Sequence, residues 1–437
     1  MKIGFVSLGC SKNLIDTENA IGLFKNNNFE IVNDEKNADI IIINTCGFIE
    51  SAKQEAINTI LEMAQYKKQG TCEYLIVMGC LVQRYKKELQ KSIPEVDLFI
   101  SIDEYDEFWK KVTQLIEIKN TKGNTQLDYM NRVISTGNET AYLKIAEGCS
   151  NNCTYCAIPS IRGPYISRPM DDILKEAKKL AMQGIKELII IAQDTTKYGE
   201  DIYGTKKLSE LLSKLCKIDG IKWIRFLYAY PESITDELIK VVKENDKICN
   251  YFDIPIQHIS NVILKRMNRK TTGERINKLV EKIKREIPDV ILRTSLIVGF
   301  PGETEADFKQ LYSFVEKGYF SKIGVFTYSK EDGTPAARLE EQIHHNTKRK
   351  RYNQIMNIAQ IVSKQKLELL LGKTYEVLIE DKTFDNKYYI GRTYMDIPDE
   401  DGVIFIKNTK DNLIGNFVEC KVTQIREYDL IGELLDE

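Results

Sequence analysis

Short runs that are apolar at nearly every position, separated by amphipathic stretches, recur along most of this 437-residue chain. The first four are Lys2–Leu8, Asp39–Asn44 with four consecutive isoleucines, Tyr74–Met78 and Val96–Ser101. Helical patterns lie between them at Asn13–Asn26, Ser51–Lys68 and a stretch running through Lys91. A strand that is apolar on both sides must be covered on both sides. That happens in a parallel sheet whose crossover helices pack on its two faces. Residues 1–120 are therefore expected to form a small doubly wound α/β domain. No G-x-G-x-x-G follows the first strand, so a dinucleotide site is not supported.

Lys119–Gln126 is polar and contains glycine, and reads as a linker. The alternation then resumes, with strands expected at Ala141–Ala146, Glu187–Ala192, Trp223–Tyr228, Tyr251–Ile256, Val290–Val298 and Ile323–Tyr328. Helices fall between them, for example at Asp171–Gln183 and Glu274–Glu286. Consecutive βα units of this kind predict a parallel sheet curved into a partial (β/α)6 barrel over residues 135–370. Arg349–Leu371 reads as a long helical spacer. From Lys373 the pattern changes to short strands with turn signals: Tyr375–Glu380, Tyr388–Thr393, Val403–Ile406 and Phe417–Ile425. Residues 371–437 are expected to form a small all-β barrel of the oligonucleotide-binding kind.

Charged residues make up 29% of the chain and apolar residues 43%, enough apolar surface to exclude dominant disorder. The longest aliphatic run, Ile40–Ile43, falls far short of the ~18 apolar residues of a membrane span. The start of the chain lacks the apolar region and cleavage site of a secretory leader. The expected location is cytoplasmic, with no membrane partner. In a reducing compartment, cysteines at special spacings read as metal or redox sites.

The chain has ten cysteines and three histidines. Cys149-Ser-Asn-Asn-Cys153-Thr-Tyr-Cys156 follows the first strand of the partial barrel. Three thiolates on one short loop are soft ligands that suit an iron–sulfur cluster or zinc. No histidine precedes His258 to complete a zinc set, which favours a cluster. A 4Fe-4S cluster normally takes four cysteines, so three leave one iron open to another ligand. A second set is less obvious. Cys10, Cys46 and Cys80 each end an apolar run, beside Gly9, Gly47 and Gly79. Ligand sites of open α/β sheets lie at the carboxyl ends of strands, so three cysteines there can meet although distant in sequence. Glycine lets the backbone turn sharply and approach a bulky group. One buried cysteine is ordinarily a small hydrophobe, but three with the same placement predict a second three-cysteine cluster. Cys72, Cys216, Cys249 and Cys420 show no such placement and read as structural.

Polar residues at the ends of barrel strands are placed to meet substrate or cofactor. Here they are Gln193, Asp194, Arg225, Tyr228 and Gln257. Gly299-Phe-Pro-Gly-Glu303 is a tight turn after the fifth strand that would support such a site. His258 either faces the mouth or is structural, and His344 and His345 read as solvated.

The C-x3-C-x2-C loop after the first strand of a partial barrel resembles the radical S-adenosylmethionine (SAM) superfamily. That resemblance implies that the open iron chelates SAM. It also implies that Tyr155 lies beside the adenine, while Gln193, Asp194, Arg225, Gln257 and Gly299 are expected at the cofactor from their strand-end placement. The whole chain is similar to the methylthiotransferase family, which joins an N-terminal three-cysteine domain, a radical SAM core and a TRAM-like C-terminal β-barrel. Six segments resemble the ribosomal-protein branch of that family: SLGCSKNLIDTE (7–18), YLKIAEGCSNNCTYCAIPSIRGPYISRP (142–169), AQDTTKYG (192–199), DIPIQHIS (253–260), RTSLIVGFPGETE (293–305) and YIGRTYMDIPDEDG (389–402). All six ligand cysteines of the family pattern are present.

The resemblance implies two 4Fe-4S clusters and two SAM molecules. One SAM donates a methyl group to sulfur at the N-terminal cluster. The other is cleaved at the core cluster to a radical that removes hydrogen from the β-carbon of an aspartate. That aspartate lies in the small-subunit ribosomal protein near the decoding centre, and the electron donor would be a flavodoxin or ferredoxin. Residues 371–437 hold eight basic and fifteen acidic residues, a net charge of −7, which leaves +5 on the rest of the chain. RNA affinity depends on cationic contacts to phosphate, so this module suits a basic ribosomal protein better than tRNA, unless its carboxylates only keep it soluble. Two other readings stay open: a tRNA adenosine methylthiotransferase with the same fold and clusters, and a non-catalytic iron–sulfur redox protein.

Overall fold

The computed structural model describes residues 1–118, 123–137, 139–408 and 410–435. The first half of the expected linker, residues 119–122, lies outside them. The N-terminal domain is a five-stranded, all-parallel sheet. Its elements are β1 (Lys2–Ser7), α1 (Ser11–Asn26), β2 (Glu30–Val32), β3 (Ile40–Thr45), α2 (Glu50–Ala64), β4 (Tyr74–Gly79), α3 (Cys80–Ser92), β5 (Leu98–Ile100) and α4 (Phe108–Leu115), in the strand order β2-β1-β3-β4-β5. The consecutive isoleucines of β3 divide between two cores. Ile41 and Ile43 pack with Ala56, Ile60 and Leu81 of α2 and α3, while Ile40 and Ile42 pack with Leu23, Phe24 and Trp109 of α1 and α4. Coverage on both faces is what the unbroken apolar runs require.

The chain then straps back along α1 before entering the core. Arg132 pairs with Glu18 at 2.7 Å and Glu176 at 3.0 Å, and the Ser135 N–H donates to Glu18. The core strands are β6 (Thr140–Lys144), β7 (Glu187–Ile191), β8 (Trp223–Phe226), β9 (Tyr251–Asp253), β10 (Ile291–Val298) and β11 (Lys322–Thr327). They form two three-stranded parallel sheets, β6-β7-β8 and β9-β10-β11, joined by parallel bridging between Ile224 and Ile248. The result is a curved wall in sequential strand order. Strand β9 is shorter than expected because Pro255 has no N–H to donate. Outside the wall lie α5 (Met170–Met182), α6 (Leu208–Leu215), α7 (Asp236–Glu244), α8 (Gly273–Glu286), α9 (Glu305–Glu316) and α10 (His345–Glu368).

Helix α10 corrects the expectation of a spacer. Ile355, Ile358 and Ala359 are buried in the same core as Phe308, Leu311 and Val325. Arg351 reaches Glu303 at 2.9 Å. The helix is therefore a packed layer of the barrel.

The C-terminal module is a closed barrel of β12 (Thr374–Lys382), β13 (Tyr388–Arg392), β14 (Ile404–Lys407), β15 (Phe417–Ile425) and β16 (Leu430–Leu434), in the order β12-β13-β14-β16-β15. It docks against the inner face of the core wall. Trp223 meets the Phe417 ring edge-on at 4.8 Å, and Ile189, Tyr251, Leu378 and Ile397 share one core. At the centre of this interface Glu187 takes Arg392 at 2.6 Å and Arg225 at 3.1 Å, while Arg392 also holds Glu380 at 2.6 Å. Five of the module's fifteen acidic residues, Glu376, Glu380, Asp396, Glu400 and Asp401, are engaged along this interface. Glu376 pairs with Lys222, Asp396 with Lys322 at 2.6 Å, and Glu400 and Asp401 with Arg293. In the acidic Pro398–Asp401 turn, Glu400 and Asp401 meet Arg293 of the core, while Asp399 stays exposed. Asp401 also accepts the Tyr251 hydroxyl at 2.7 Å.

Removing one partner of a buried ion pair strands the other. Arg392→Met is therefore expected to cost about 3–5 kcal/mol of module docking, seen as a lowered melting temperature and early proteolytic loss of residues beyond 371. Burial raises the Glu187 pKa, but Arg392 and Arg225 outweigh it and hold it below the ordinary glutamate value. Its contribution is complete above the unfolded-state pKa and fades as pH falls through the lower folded value. Wild-type docking should weaken in acid and Arg392→Met docking should weaken less.

Candidate functional site

Each of three N-terminal strands ends in a turn that carries a cysteine, and α1 ties the three turns together. Cys10 is the N-cap of α1 and Cys80 the first residue of α3. The Asn13 side chain donates to Leu8 O at 3.1 Å and Thr45 O at 3.0 Å, and its Oδ1 accepts the Cys80 thiol at 3.4 Å. One amide thus holds the turns of Cys10, Cys46 and Cys80 together. The glycines beside them are what permits this approach. A Cβ on Gly9 (φ +88°) would lie 2.6 Å from Cys46 Cβ, and one on Gly47 would lie 2.7 Å from Leu81 Cα.

The electrostatics differ among the three thiols. Burial pushes Cys80 up to about 12, against the pull of Arg162. Cys46 is also raised, chiefly by burial. At Cys10 desolvation acts upward, but Lys12, Arg162 and the N–H groups of Asn13 and Lys12 outweigh it, and the net shift is down. Cys10 is also the most accessible of the three.

The Cys149–Cys156 loop is clamped on several sides. Cys149 N–H donates to Gly163 O at 3.1 Å, Thr154 N–H to Met267 O at 3.1 Å, and Ala336 N–H to Thr154 O at 2.9 Å. Asn151 Nδ2 donates to Asp194 at 2.8 Å, and Asn268 to Asn152 O at 2.9 Å. Cys149 and Cys153 are buried, and burial pushes Cys156 up to about 12. Cys153 Sγ lies 3.7 Å from the Tyr230 hydroxyl, whose ring carries Arg269 at 4.2 Å.

Both sets have the donor chemistry of an iron–sulfur cluster. Buried thiols with raised pKa values become ligands when a cation supplies the positive charge that deprotonates them. Among the described residues no three Cys, His, Asp or Glu side chains close on a point as they would around a single ion.

The other residues expected from sequence divide. Gln193 donates to Glu147 at 3.3 Å, and its Oε1 is buried without a partner. Gln257 holds φ +68° at the barrel rim, with its N–H bonded to Ser295 O. Tyr155 packs beside Ile263, Met267, Phe300 and Tyr328. Asp194 is fully buried and committed, since it accepts from Asn151 and from Thr196 N–H at 3.1 Å. It positions the cysteine loop through Asn151. Gly299 (φ +72°) gives its N–H to Glu303 at 2.6 Å, and a Cβ there would meet Lys348 Cγ at 2.4 Å.

Arg225 is a correction. Its side chain pairs with Glu187, the first residue of β7, and donates to Tyr394 O at 2.6 Å. It belongs to the docking interface of the C-terminal module, at the far end of the wall from Gln193 and Asp194. His258 is structural. It is fully buried, Nδ1 accepts Ser260 N–H at 3.0 Å, and burial pushes its pKa down to about 3.

Sequence reasoning missed the polar cluster that joins the two cysteine sets. Asp16 of α1 takes Lys144 at 2.6 Å and Arg162 at 3.0 Å, and Glu147 takes Lys144 at 2.8 Å and Arg162 at 3.0 Å. Arg162 also reaches Asn13 Oδ1 at 2.5 Å and Cys80 Sγ at 3.7 Å. Two cations and two carboxylates thus lock the N-terminal domain onto the loop side of the core. The signal was present in the words LGCSKNLID and SIRG, but the pairing is non-local.

Comparison with known proteins covers all three domains. Residues 143–315 match the radical SAM superfamily, 2–101 an uncharacterized protein family designated UPF0004, and 371–435 the TRAM domain. The chain is 66% identical over 438 residues to the ribosomal protein uS12 methylthiotransferase RimO of Alkaliphilus oremlandii, with all of both chains covered. It is 51% identical to the RimO of Acetivibrio thermocellus and 52% to that of Clostridioides difficile, each covering 100% of this chain and 99% of the relative. Among solved structures, the radical SAM methyltransferase TsrM of Kitasatospora setae aligns with TM-score 0.58 at 14% identity, over 77% of this chain and 76% of that one. The cobalamin-dependent SAM radical enzyme OxsB aligns with TM-score 0.51 at 15% identity, over 83% and 56%. These two likenesses concern the fold.

Proposed function

The chain belongs to the family of ribosomal protein uS12 methylthiotransferases, RimO, and from that membership we propose that it places a methylthio group on the β-carbon of one aspartate of uS12 by radical SAM chemistry. The observation that carries the reading is the joining of two three-thiol sets through one buried network, Asn13, Asp16, Lys144, Glu147 and Arg162. A single-cluster redox protein has no use for the second set.

We infer that Cys149, Cys153 and Cys156 hold one 4Fe-4S cluster and Cys10, Cys46 and Cys80 another. When bound, the first together with SAM supplies a 5′-deoxyadenosyl radical and the second supplies the methylthio group. An unactivated C–H bond is beyond acid–base side chains, so the protein's part is to orient and enclose. Asp194 and Asn151 fix the core loop, and Asn13 fixes the three N-terminal turns. To the SAM side of the core loop we assign Gln193, whose Oε1 is unpaired, with Tyr155, Gln257 and the Gly299 turn. The lock formed by Asp16 and Arg162 closes the junction against water, which would quench a radical or displace sulfur. The reductant is a one-electron carrier such as a flavodoxin or ferredoxin. Among the described residues no helix is long and apolar enough to cross a membrane.

Mass spectrometry of ribosomal proteins and of tRNA nucleosides from a strain lacking the chain tests the substrate. The expected result is loss of the methylthio mass from uS12 with tRNA unchanged. Retention on uS12 with loss from a tRNA adenosine would make this a tRNA enzyme.

A further inference from the structure

We propose that Lys12, seated on the ring of Tyr228, binds the carboxylate of the target aspartate and so sets its β-carbon at the junction of the two cysteine sets. The proposal rests on the protein-substrate reading above and adds the residue that selects an acidic side chain.

Lys12 is 7% exposed, and its Nζ lies 3.5 Å from the centre of the Tyr228 ring. Among the described residues its ammonium has no hydrogen bond and no carboxylate at ion-pair distance. Every other buried cation at this junction has a carboxylate: Lys144 and Arg162 share Asp16 and Glu147, and Arg269 has Glu232. An isolated buried ammonium is costly, and a ring face offsets only part of that cost. Cys10 acts on Lys12 most strongly through space and is assigned to a cluster, while Glu147 and Glu400 act more weakly and are committed to Lys144, Arg162 and Arg293. Among the described residues no carboxylate pairs with this ammonium, which leaves room for one brought by the substrate.

The platform under Lys12 is held under strain. Tyr228 has φ +60°, a conformation bulky residues rarely adopt. It is kept there by its N–H donating to Asp253 at 2.9 Å and its carbonyl accepting Thr195 N–H at 3.2 Å. Strain of this kind persists where the surrounding structure fixes it and clusters at functional sites. The location fits as well. Lys12 follows Cys10 by two residues on the N-terminal side, and Tyr228 stands at the rim of the core wall. In aspartate the β-carbon is bonded directly to the carboxylate carbon, so anchoring the one places the other. A nucleobase offers no such anion.

The test uses the full chain with both clusters reconstituted under anaerobic conditions. Affinities are measured for a synthetic peptide spanning the target aspartate of uS12 and for the same peptide with asparagine. Wild type should prefer aspartate by about thirtyfold or more, the scale of a buried charge pair. Lys12→Met should bind both within about twofold, and Lys12→Arg should keep part of the preference. Iron content confirms that each variant is assembled, and Lys12→Gln replaces Lys12→Met if the latter loses iron. Equal binding of the two peptides by wild type, or a preference surviving in Lys12→Met, overturns the Lys12 assignment and leaves the substrate reading intact. If wild type binds neither peptide, the substrate reading itself fails and this assignment with it.

Discussion

Replacing Cys149, Cys153 and Cys156 together by alanine is expected to abolish 5′-deoxyadenosine formation. In the reconstituted wild type, dithionite and SAM should yield 5′-deoxyadenosine. In the triple variant the yield should fall to background, and iron should drop from about eight to about four per chain. The reason lies in the loop. Burial raises the Cys149 and Cys156 thiols, and no further cysteine lies on the loop to substitute as a soft ligand. The fold should survive, because the loop is clamped by Thr154, Asn151 and Cys149 backbone contacts that alanine leaves in place. Iron retained at the wild-type level would show that these cysteines are not ligands.

Replacing Cys10, Cys46 and Cys80 by alanine should separate the two activities. Iron again falls to about four per chain, but 5′-deoxyadenosine still forms and no methylthio group reaches the peptide. This outcome distinguishes two sites with different tasks from one site with reserve ligands. The N-terminal set sits in its own domain, held by Asn13, and touches the core through Arg162 and through packing of Cys80 on Ala157 and Ile161, with no hydrogen bond to the Cys149–Cys156 thiols. Deleting its thiols should therefore leave the core loop undisturbed. Loss of both activities would mean that the sets are not independent.

Much of the fold was legible because burial leaves a strong imprint on sequence. The runs at Ile40–Thr45 and Tyr74–Gly79 are apolar throughout because helices cover both faces of their sheet. The six cysteines were legible because strand ends are special places in α/β sheets. Two short strands were not. Glu30–Val32 and Leu430–Leu434 carry charged residues and little apolar length.

What sequence could not supply was direction and pairing. Arg225 alternates with Ile224 and Phe226 along β8, so it faces the inside of the wall. That the inside is filled by the C-terminal module, with Arg392 and Tyr394 at hand, is a long-range fact. The same holds for the acidic turn at 398–401, whose charge was legible but whose partner, Arg293, lies in the core of the same chain. Helix α10 was misread as a spacer although Ile355, Ile358, Ala359 and Val362 have core spacing, because its remaining surface is strongly basic. Lys12 was visible only as one letter in a motif until the structure placed it, unpaired, on Tyr228.

The most direct test of the central claim is one reaction. The chain, reconstituted anaerobically, is mixed with SAM, a reductant and purified unmodified uS12, and the tryptic peptides are read by tandem mass spectrometry. The account predicts the added mass of one methylthio group on the β-carbon of a single aspartate, together with 5′-deoxyadenosine. Formation of 5′-deoxyadenosine with uS12 unmodified, and a methylthio group appearing on tRNA supplied in its place, would contradict it.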